Sequence, residues 1–257
     1  MIFNSRLNNL LAEAEWLRKE HPGCGVEKMY YTLCPDFIGR DQFIEVFMEL
    51  GFRVKRNKNY RRTTYSIKNE YPNLIKGLSV AAPSTVWQSD ITYMEVGDRF
   101  YYAVFIIDVY TKKVVGYNVS DNMRATANLK ALRMALRNHP APKIHHSDRG
   151  SQYIYHEYTE MLKGKGSQIS MSRTAQDNAY AERINETIKY EYLKYWKPKS
   201  YKELERCVKK AVNHYNKQRP HNRLMRMTPE SFEHSWLSGA FSDPPIEKIY
   251  NHPESIN

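Results

Sequence analysis

The sequence is poor in cysteine, in acid relative to base, and in long apolar runs. Cys24, Cys34 and Cys207 are its only cysteines, an odd number that cannot all pair. This argues against a disulfide scaffold and for thiols in a reducing cytoplasm. With His21, Cys24 and Cys34 as the only candidate ligands near the N-terminus, and no Cys-x-x-Cys, the four ligands of a closed zinc site are not there, and buried cysteines are the better reading. The longest apolar run, residues 101–107, falls far short of the about 20 residues that span a bilayer. No signal pattern opens the chain. A soluble, intracellular protein is expected.

What is present in excess is positive charge. Lys and Arg number 39 against 28 Asp and Glu, for a net charge of +11 over 257 residues. Such an excess suits a polyanionic partner. It is concentrated in Arg53, Lys55, Arg56, Lys58, Arg61 and Arg62, a stretch without acids and interleaved with Tyr60 and Tyr65. This composition fits a linker that tracks a DNA backbone; a solvated linker is the plainer alternative.

Periodicity divides the chain. Leu7, Leu10, Leu11, Ala14 and Leu17 recur at helical spacing, and two or three short helices follow up to Gly51, a residue suited to a left-handed helix end. They read either as a helix-turn-helix or as a helical cap without groove contact. Residues 1–52 form this region, 53–82 a basic linker, 83–235 a main domain and 236–257 a tail. In the main domain three strands are expected at residues 86–96, 99–110 and 114–119, joined by tight turns. A helix at 125–138, a strand at 144–147, a helix near 155–163, a strand at 168–172 and helices to about Tyr195 and over 201–218 follow. Ala181, Ile184, Ile188, Tyr192 and Tyr195 should form the buried stripe of the first of these last two helices. This order predicts an α/β ribonuclease-H-like fold, a mixed five-stranded sheet flanked by helices.

Three acids stand where such a fold converges: Asp90 in the first strand, Asp148 at a strand end, and Glu182 in the first turn of a helix. A set of Asp, Asp and Glu is suited to two Mg²⁺ or Mn²⁺ ions, which prefer oxygen ligands and serve phosphodiester chemistry. Each acid has rivals. If the hairpin turns at Gly97-Asp98, Asp90 faces Phe105, and Asp108 lies about 10 Å away at 3.3 Å per residue, too far to share a metal. Glu186, one turn beyond Glu182, competes for the third position, and Asp177 reads as a cap. Asn185 and Lys189 share the face of Glu182, and Lys189 and Arg149 are candidate phosphate contacts. His145 and His146 read as strand residues, with an orienting role for His146 as the alternative.

Four motifs give a resemblance: residues 86–93 around Asp90, residues 146–153 around Asp148, residues 170–173 leading to Asp177-Asn178-Ala179 and Glu182, and His214-Tyr215-Asn216 with Arg219-Pro220-His221, Leu224 and Thr228-Pro229. Together they resemble the DDE transposases of the insertion-sequence-three family, relatives of retroviral integrases. The resemblance implies an integrase core, and Asp90, Asp148 and Glu182 match the family's metal-binding acids. It implies cleavage at element ends and attack by the exposed 3′-hydroxyl on another phosphodiester. It further implies terminal and target double-stranded DNA as partners in a prokaryotic, nucleoid-associated setting and a DNA contact by Lys189, which matches the position of a DNA-contacting integrase lysine. Arg149 and Asn185 are candidate DNA contacts by their placement beside the acids, and at least a dimer on DNA is expected because two ends must be joined. Two features depart from the family's pattern. Only 33 residues separate Asp148 from Glu182, slightly fewer than usual. The upstream helix-turn-helix and zipper are reduced to one short heptad-like helix, which raises an upstream-frame partner as an expectation. A DNA-binding accessory subunit and a plain nuclease are the competing readings.

Overall fold

The computed structural model of the protein describes residues 2–54 and 71–249. Arg53 is exposed, whereas Lys55, Arg56, Lys58, Arg61 and Arg62, the expected backbone-tracking stretch, lie outside the described residues.

The N-terminal region is three helices, α1 (Ile2–Glu20), α2 (Val26–Leu33) and α3 (Arg40–Glu49). The helical repeat noted in α1 is its buried side: Leu10, Ala14 and Leu17 pack on Met29, Phe43 and Phe47. Phe43 and Phe47, four residues apart on α3, stack with ring centroids 4.0 Å apart. Each is fully buried, a contribution of about 1.5–3 kcal/mol per side chain. Gly51 adopts φ +85°, and its N–H bonds the carbonyl of Met48, ending α3 as expected.

After the two-residue strand β1 (Ser79–Val80) comes the meander β2 (Val86–Val96), β3 (Arg99–Asp108) and β4 (Val114–Ser120). There follow α4 (Ala125–Asn138), β5 (Ile144–Ser147), α5 (His156–Lys163) and β6 (Gln168–Met171). The sheet order is β4-β3-β2-β5-β6. The β2–β3 and β3–β4 pairs are antiparallel, and β2–β5 and β5–β6 are parallel. This is the expected mixed five-stranded sheet. β2 is central and buried on both faces, which is why its sequence alternates so weakly. On one face Trp87, Ile91 and Ile106 meet Leu129, Leu132, Tyr158 and Leu162 of α4 and α5.

On the other face lies a long helix built of α6 (Ala179–Thr187), a π-helical stretch (Ile188–Leu193) and α7 (Lys194–Trp196), together with α8 (Tyr201–Lys217). Ala181, Ile184, Ile188 and Tyr192 are buried as the repeat predicted, but Tyr195 is 38% exposed and Leu193 takes its place inside. The wider π turns rotate every later side chain relative to an ideal α-helix.

The expected boundary at 235/236 falls inside α9 (Pro229–Leu237), and the stretch read as a tail is partly core. β7 (Glu247–Lys248) pairs with β1, and Ile249 is buried with Ile75, Val80 and Phe232. Among the described residues no helix is long and apolar enough to cross a membrane.

The N-terminal helices are seated on the main domain around Glu191, with further contacts such as Trp196 to the Lys19 carbonyl and Lys210 to Glu20. Arg219 grips the Glu191 carboxylate with two N–H groups at 2.8 Å, Lys28 Nζ reaches it at 2.9 Å, and His21 Nε2 lies at 2.7 Å. Four contacts fill the lone pairs of one carboxylate. The Gly23 N–H bonds the Glu191 carbonyl, and a Cβ on Gly23 would stand 2.3 Å from the Glu191 Cα, so only glycine permits this approach. Burial pushes the Glu191 carboxyl up, but Arg219 and His21, then the charge of Lys28, hold it well below the ordinary glutamate value. A lowered carboxyl contributes stability that is complete above the unfolded-state pKa and is lost as pH falls through the folded value. The buried Asp90 and Asp108, whose carboxyls are raised, act in the opposite sense. The unfolding free energy of the protein should therefore exceed that of Glu191→Gln at neutral pH. That gap should close on acidification below about 4.5, the ordinary glutamate value, as measured by urea unfolding of both proteins across pH.

Candidate active site

The parallel register between β2 and β5 sets two of the three acids side by side. Ser89 pairs with Ser147, the last residue of β5, so Asp90 follows on β2 beside the point where Asp148 leaves β5. β5 stops at Ser147, and the Gly150 N–H bonds Asp148 Oδ1 at 3.0 Å, turning the carboxyl at the strand end. On β3, Asp90 faces Phe105 as expected, while Asp108 faces Trp87. Asp108 is buried, and its oxygens accept the N–H groups of Ser84, Tyr110 and Thr111, a turn-building role rather than a ligand's.

The third acid arrives on α6, and a set of buried amides determines where. Gln88, fully buried two residues before Asp90 on the same strand face, accepts the Tyr180 N–H at 3.0 Å and donates to the Asp177 carbonyl at 3.1 Å. Its carboxamide thus satisfies backbone groups at the start of α6 that the helix itself leaves unpaired. Asn178 donates to the Ser89 carbonyl at 3.0 Å. Ahead of them Thr174 and Asp177 form a capping box, with Asp177 Oδ2 accepting from the Arg173 and Thr174 N–H groups. Asp177 is the cap that its position suggested. Glu182 then lies one turn before Asn185, whose amide donates to Asp90 Oδ2 at 2.8 Å.

The charges interact. Asp90 is raised well above the usual aspartate value, first by burial and then by the neighbouring charges of Asp148 and Glu182. Glu182, half-buried, is raised by burial, then by Glu186 and Asp148. Glu186 is exposed, whereas Glu182 is half-buried, and Glu186 acts on both Glu182 and Lys189. Lys189 Nζ sits 4.1 Å from the Tyr93 ring centroid. Burial lowers its ammonium to about 8 against the pull of Asp90 and Glu186, so it remains mainly charged at neutral pH. Among the described residues no three His, Cys, Asp or Glu side chains are already drawn together as a metal cage. Asp90 and Asp148 are instead each turned to an N–H donor of the protein, Asn185 and Gly150.

The expected DNA contacts fare differently. Arg149 is half-buried, its Nε donating to the Ser172 carbonyl at the end of β6. Asn185 is buried and its amide is taken up by Asp90, so as placed it serves the acid rather than a nucleic-acid surface. The histidines are core residues. His145 pairs with the Tyr158 hydroxyl and His146 with Ser170, and burial lowers them to about 3 and about 4, so both are neutral. His21 is occupied by Glu191, and Cys24 is buried with its thiol pushed up to about 11 by burial. The positioning role of Gln88 was missed. Its signal was a long polar side chain two residues from an acid on one face of a strand otherwise apolar there.

Comparison with known proteins agrees with this architecture. Two integrase core domain families match, over residues 80–176 and 165–229. The chain is 36% identical over 207 residues to an uncharacterized 31 kDa protein of insertion element IS600 from Shigella sonnei, covering 77% of this chain and 76% of that protein. It is 32% identical over 246 residues to the transposase of IS629 from the same organism, with 89% and 82% covered. It is 29% identical over 199 residues to transposase InsF of IS3A from Escherichia coli K12, with 73% and 68% covered. Among solved structures, an HTLV-2 integrase catalytic core domain in complex with magnesium superposes with TM-score 0.52 at 19% identity, over 60% of this chain and 98% of that one. A simian T-cell lymphotropic virus intasome superposes with TM-score 0.58 at 15% identity, over 91% and 73%. These two share its fold. On the sequence matches, the chain belongs to the insertion-sequence-three family of transposases, with an integrase core.

Proposed function

We propose that this transposase cuts its element ends and joins the resulting 3′-hydroxyl to a second phosphodiester, with Asp90, Asp148 and Glu182 as ligands of two Mg²⁺ or Mn²⁺ ions. The observation that carries this reading is the convergence of three carboxylates from β2, the end of β5 and α6, near enough that Asp148 and Glu182 act on Asp90 and Asp148 acts on Glu182. Gathering like charges in a half-buried site is costly, and a bound divalent cation would offset that cost. An all-carboxylate set, without sulfur or imidazole, fits a hard divalent cation and is a poor site for zinc. When bound, such ions activate the attacking water or hydroxyl and stabilise the leaving oxygen.

The chain's own residues prepare the site. Asn185 fixes one oxygen of Asp90, the Gly150 N–H orients Asp148, and Gln88 with Asn178 sets the position of Glu182 on its helix. Lys189, near Asp90 and held over Tyr93, is placed to contact a phosphate of the DNA end. Arg53 leads into the basic stretch through Arg62, which supplies further backbone contacts and contributes to the net charge of +11. Joining two ends calls for at least two copies of the chain on DNA, in a bacterial nucleoid.

The direct test is an oligonucleotide with a pre-cut end and a free 3′-hydroxyl, incubated with Mg²⁺ or Mn²⁺. Joined products are expected from the protein, and simple hydrolysis alone would make it a nuclease. Glu182→Gln should lower joining by at least about 100-fold, since even indirect partners of a metal contribute about 10–100-fold, with DNA affinity nearly unchanged. Glu186→Gln should stay active; the reverse outcome would assign the third position to Glu186. Gln88→Leu should reduce the joining rate by about 10–100-fold while the melting temperature shows a folded protein. Lys189→Ala should weaken binding alike on all sequences and lessen the slope of log affinity against log salt by about 1.

A further inference from the structure

The site described above leaves one family motif and one buried charge cluster without a task. His214-Tyr215-Asn216 and Arg219-Pro220-His221 lie away from the three acids, yet their side chains are buried or half-buried and fully engaged with the fold. Asn216 bonds both the N–H and the carbonyl of Val114 on β4 at 2.9 Å, fixing the end of α8 to the sheet. His214 meets the Tyr192 hydroxyl at 3.0 Å, and Arg219 holds Glu191 with two bonds. Both targets, Glu191 and Tyr192, are on the helix that carries Glu182.

The N-terminal region grips the same two residues, with His21 also edge-on to His214 at 5.0 Å between ring centroids. His21 lies on Glu191 and stacks on the Tyr192 ring, with centroids 4.7 Å apart and planes at 6°. Lys28 completes the carboxylate's contacts, and Gly23 bonds the Glu191 carbonyl. Trp196, at the end of the helix, donates to the Lys19 carbonyl at 3.3 Å. The helix is thus a bar held at two places. Gln88, Asn178 and Asn185 hold its start against β2, and Glu191 holds the rest between the N-terminal helices and the Arg219 loop. Glu182 and Glu191 are nine residues apart, about 13 Å along the axis. A rotation at one end is carried to the other, because the intervening side chains Ile184 and Ile188 are packed in the core and cannot move independently. The π-helical stretch begins at Ile188, between the two glutamates, and Glu191 lies within it.

We infer that Glu191 is a positioning residue for the transposition site: its ion cluster lets the docked N-terminal region set where the Glu182 carboxylate stands relative to Asp90 and Asp148. This rests on the reading of those three acids as metal ligands. It gives the Arg219 motif and the N-terminal helices a common part in the reaction, through geometry alone.

The test is Mn²⁺ binding to the full chain, followed by electron paramagnetic resonance of the free ion, with circular dichroism to verify folding. Glu191→Gln should raise the Mn²⁺ dissociation constant by about tenfold, the low end of what outer partners of a metal contribute, without changing the number of sites per folded chain. In a Glu182→Gln background the same change should add nothing, because the ligand it positions is gone. Lys28→Met, which removes one of the four contacts and leaves Arg219 in place, should weaken binding in the same direction but less. A purely structural role would lower the melting temperature or the folded fraction and leave the dissociation constant of the folded protein as it was. Wild-type affinity in folded Glu191→Gln, or in Lys28→Met should Glu191→Gln not fold, overturns the inference while weakened binding by Glu182→Gln leaves the acid assignment standing. Wild-type affinity in Glu182→Gln overturns both.

Discussion

A buried carboxamide sits at the centre of this molecule. Gln88 has no contact with solvent, so its oxygen and nitrogen must find partners inside, and they find them on the first residues of α6. An unsatisfied buried amide group would cost about 1–3 kcal/mol, which makes the pairing close to obligatory. A helix start likewise has N–H groups with no partner of their own. Each element therefore answers the other's need, and the helix can begin at only one place against the sheet. With Asn178 on the Ser89 carbonyl, the start of α6 is tied to the strand on both sides of Asp90's neighbour. The position of Glu182 follows from that attachment, and Asn185, one turn on, closes it by bonding Asp90 itself.

The rest of the helix is governed by electrostatics of a different kind. Glu191 is a buried carboxylate whose charge is matched by Arg219 and Lys28 and whose remaining acceptor site is taken by His21. Buried ion pairs are weak sources of net stability, because desolvation offsets the attraction. Their strength is in specifying geometry: a misplaced N-terminal region would leave a charge unpaired. The three-helix region therefore has one seat on the main domain, reinforced by the Gly23 approach that any side chain would block. In the acid site the logic is reversed. There, like charges from three elements are brought together, and Asp90 is raised by burial and then by Asp148 and Glu182.

Much of this was legible in the chain. The Gly97-Asp98 turn marked the first hairpin of the meander, and the hairpin arithmetic that separated Asp108 from Asp90 holds in the observed register. The helix end before Pro140 and a cap at Asp177 are equally local, whereas Thr174, the N-cap of that capping box, was not foreseen. The misreadings have physical causes. Tyr195 was expected inside because an ideal α-helix was assumed, and no local signal marks the π turns that precede it and change its phase. Asn185 was expected on DNA because it shares a helical face with Glu182, but spacing along a helix cannot tell a solvent-facing neighbour from one that meets an adjacent strand. The stretch after 235 read as a tail because two-residue strands such as β7 carry no periodicity.

The division between the two levels is then clear. The sequence by itself determined the order of strands and helices, the excess of positive charge and the family to which its motifs belong, since each of these is written in local spacing or composition. Only the tertiary structure decided which acids influence one another, which amides hold them, and how the N-terminal helices are seated. Those outcomes depend on parallel pairing between β2 and β5 and on contacts such as His21 to Glu191, made between residues 170 positions apart. Long-range partners of that kind are selected by burial, where every polar group needs a partner, and burial is a property of the folded whole.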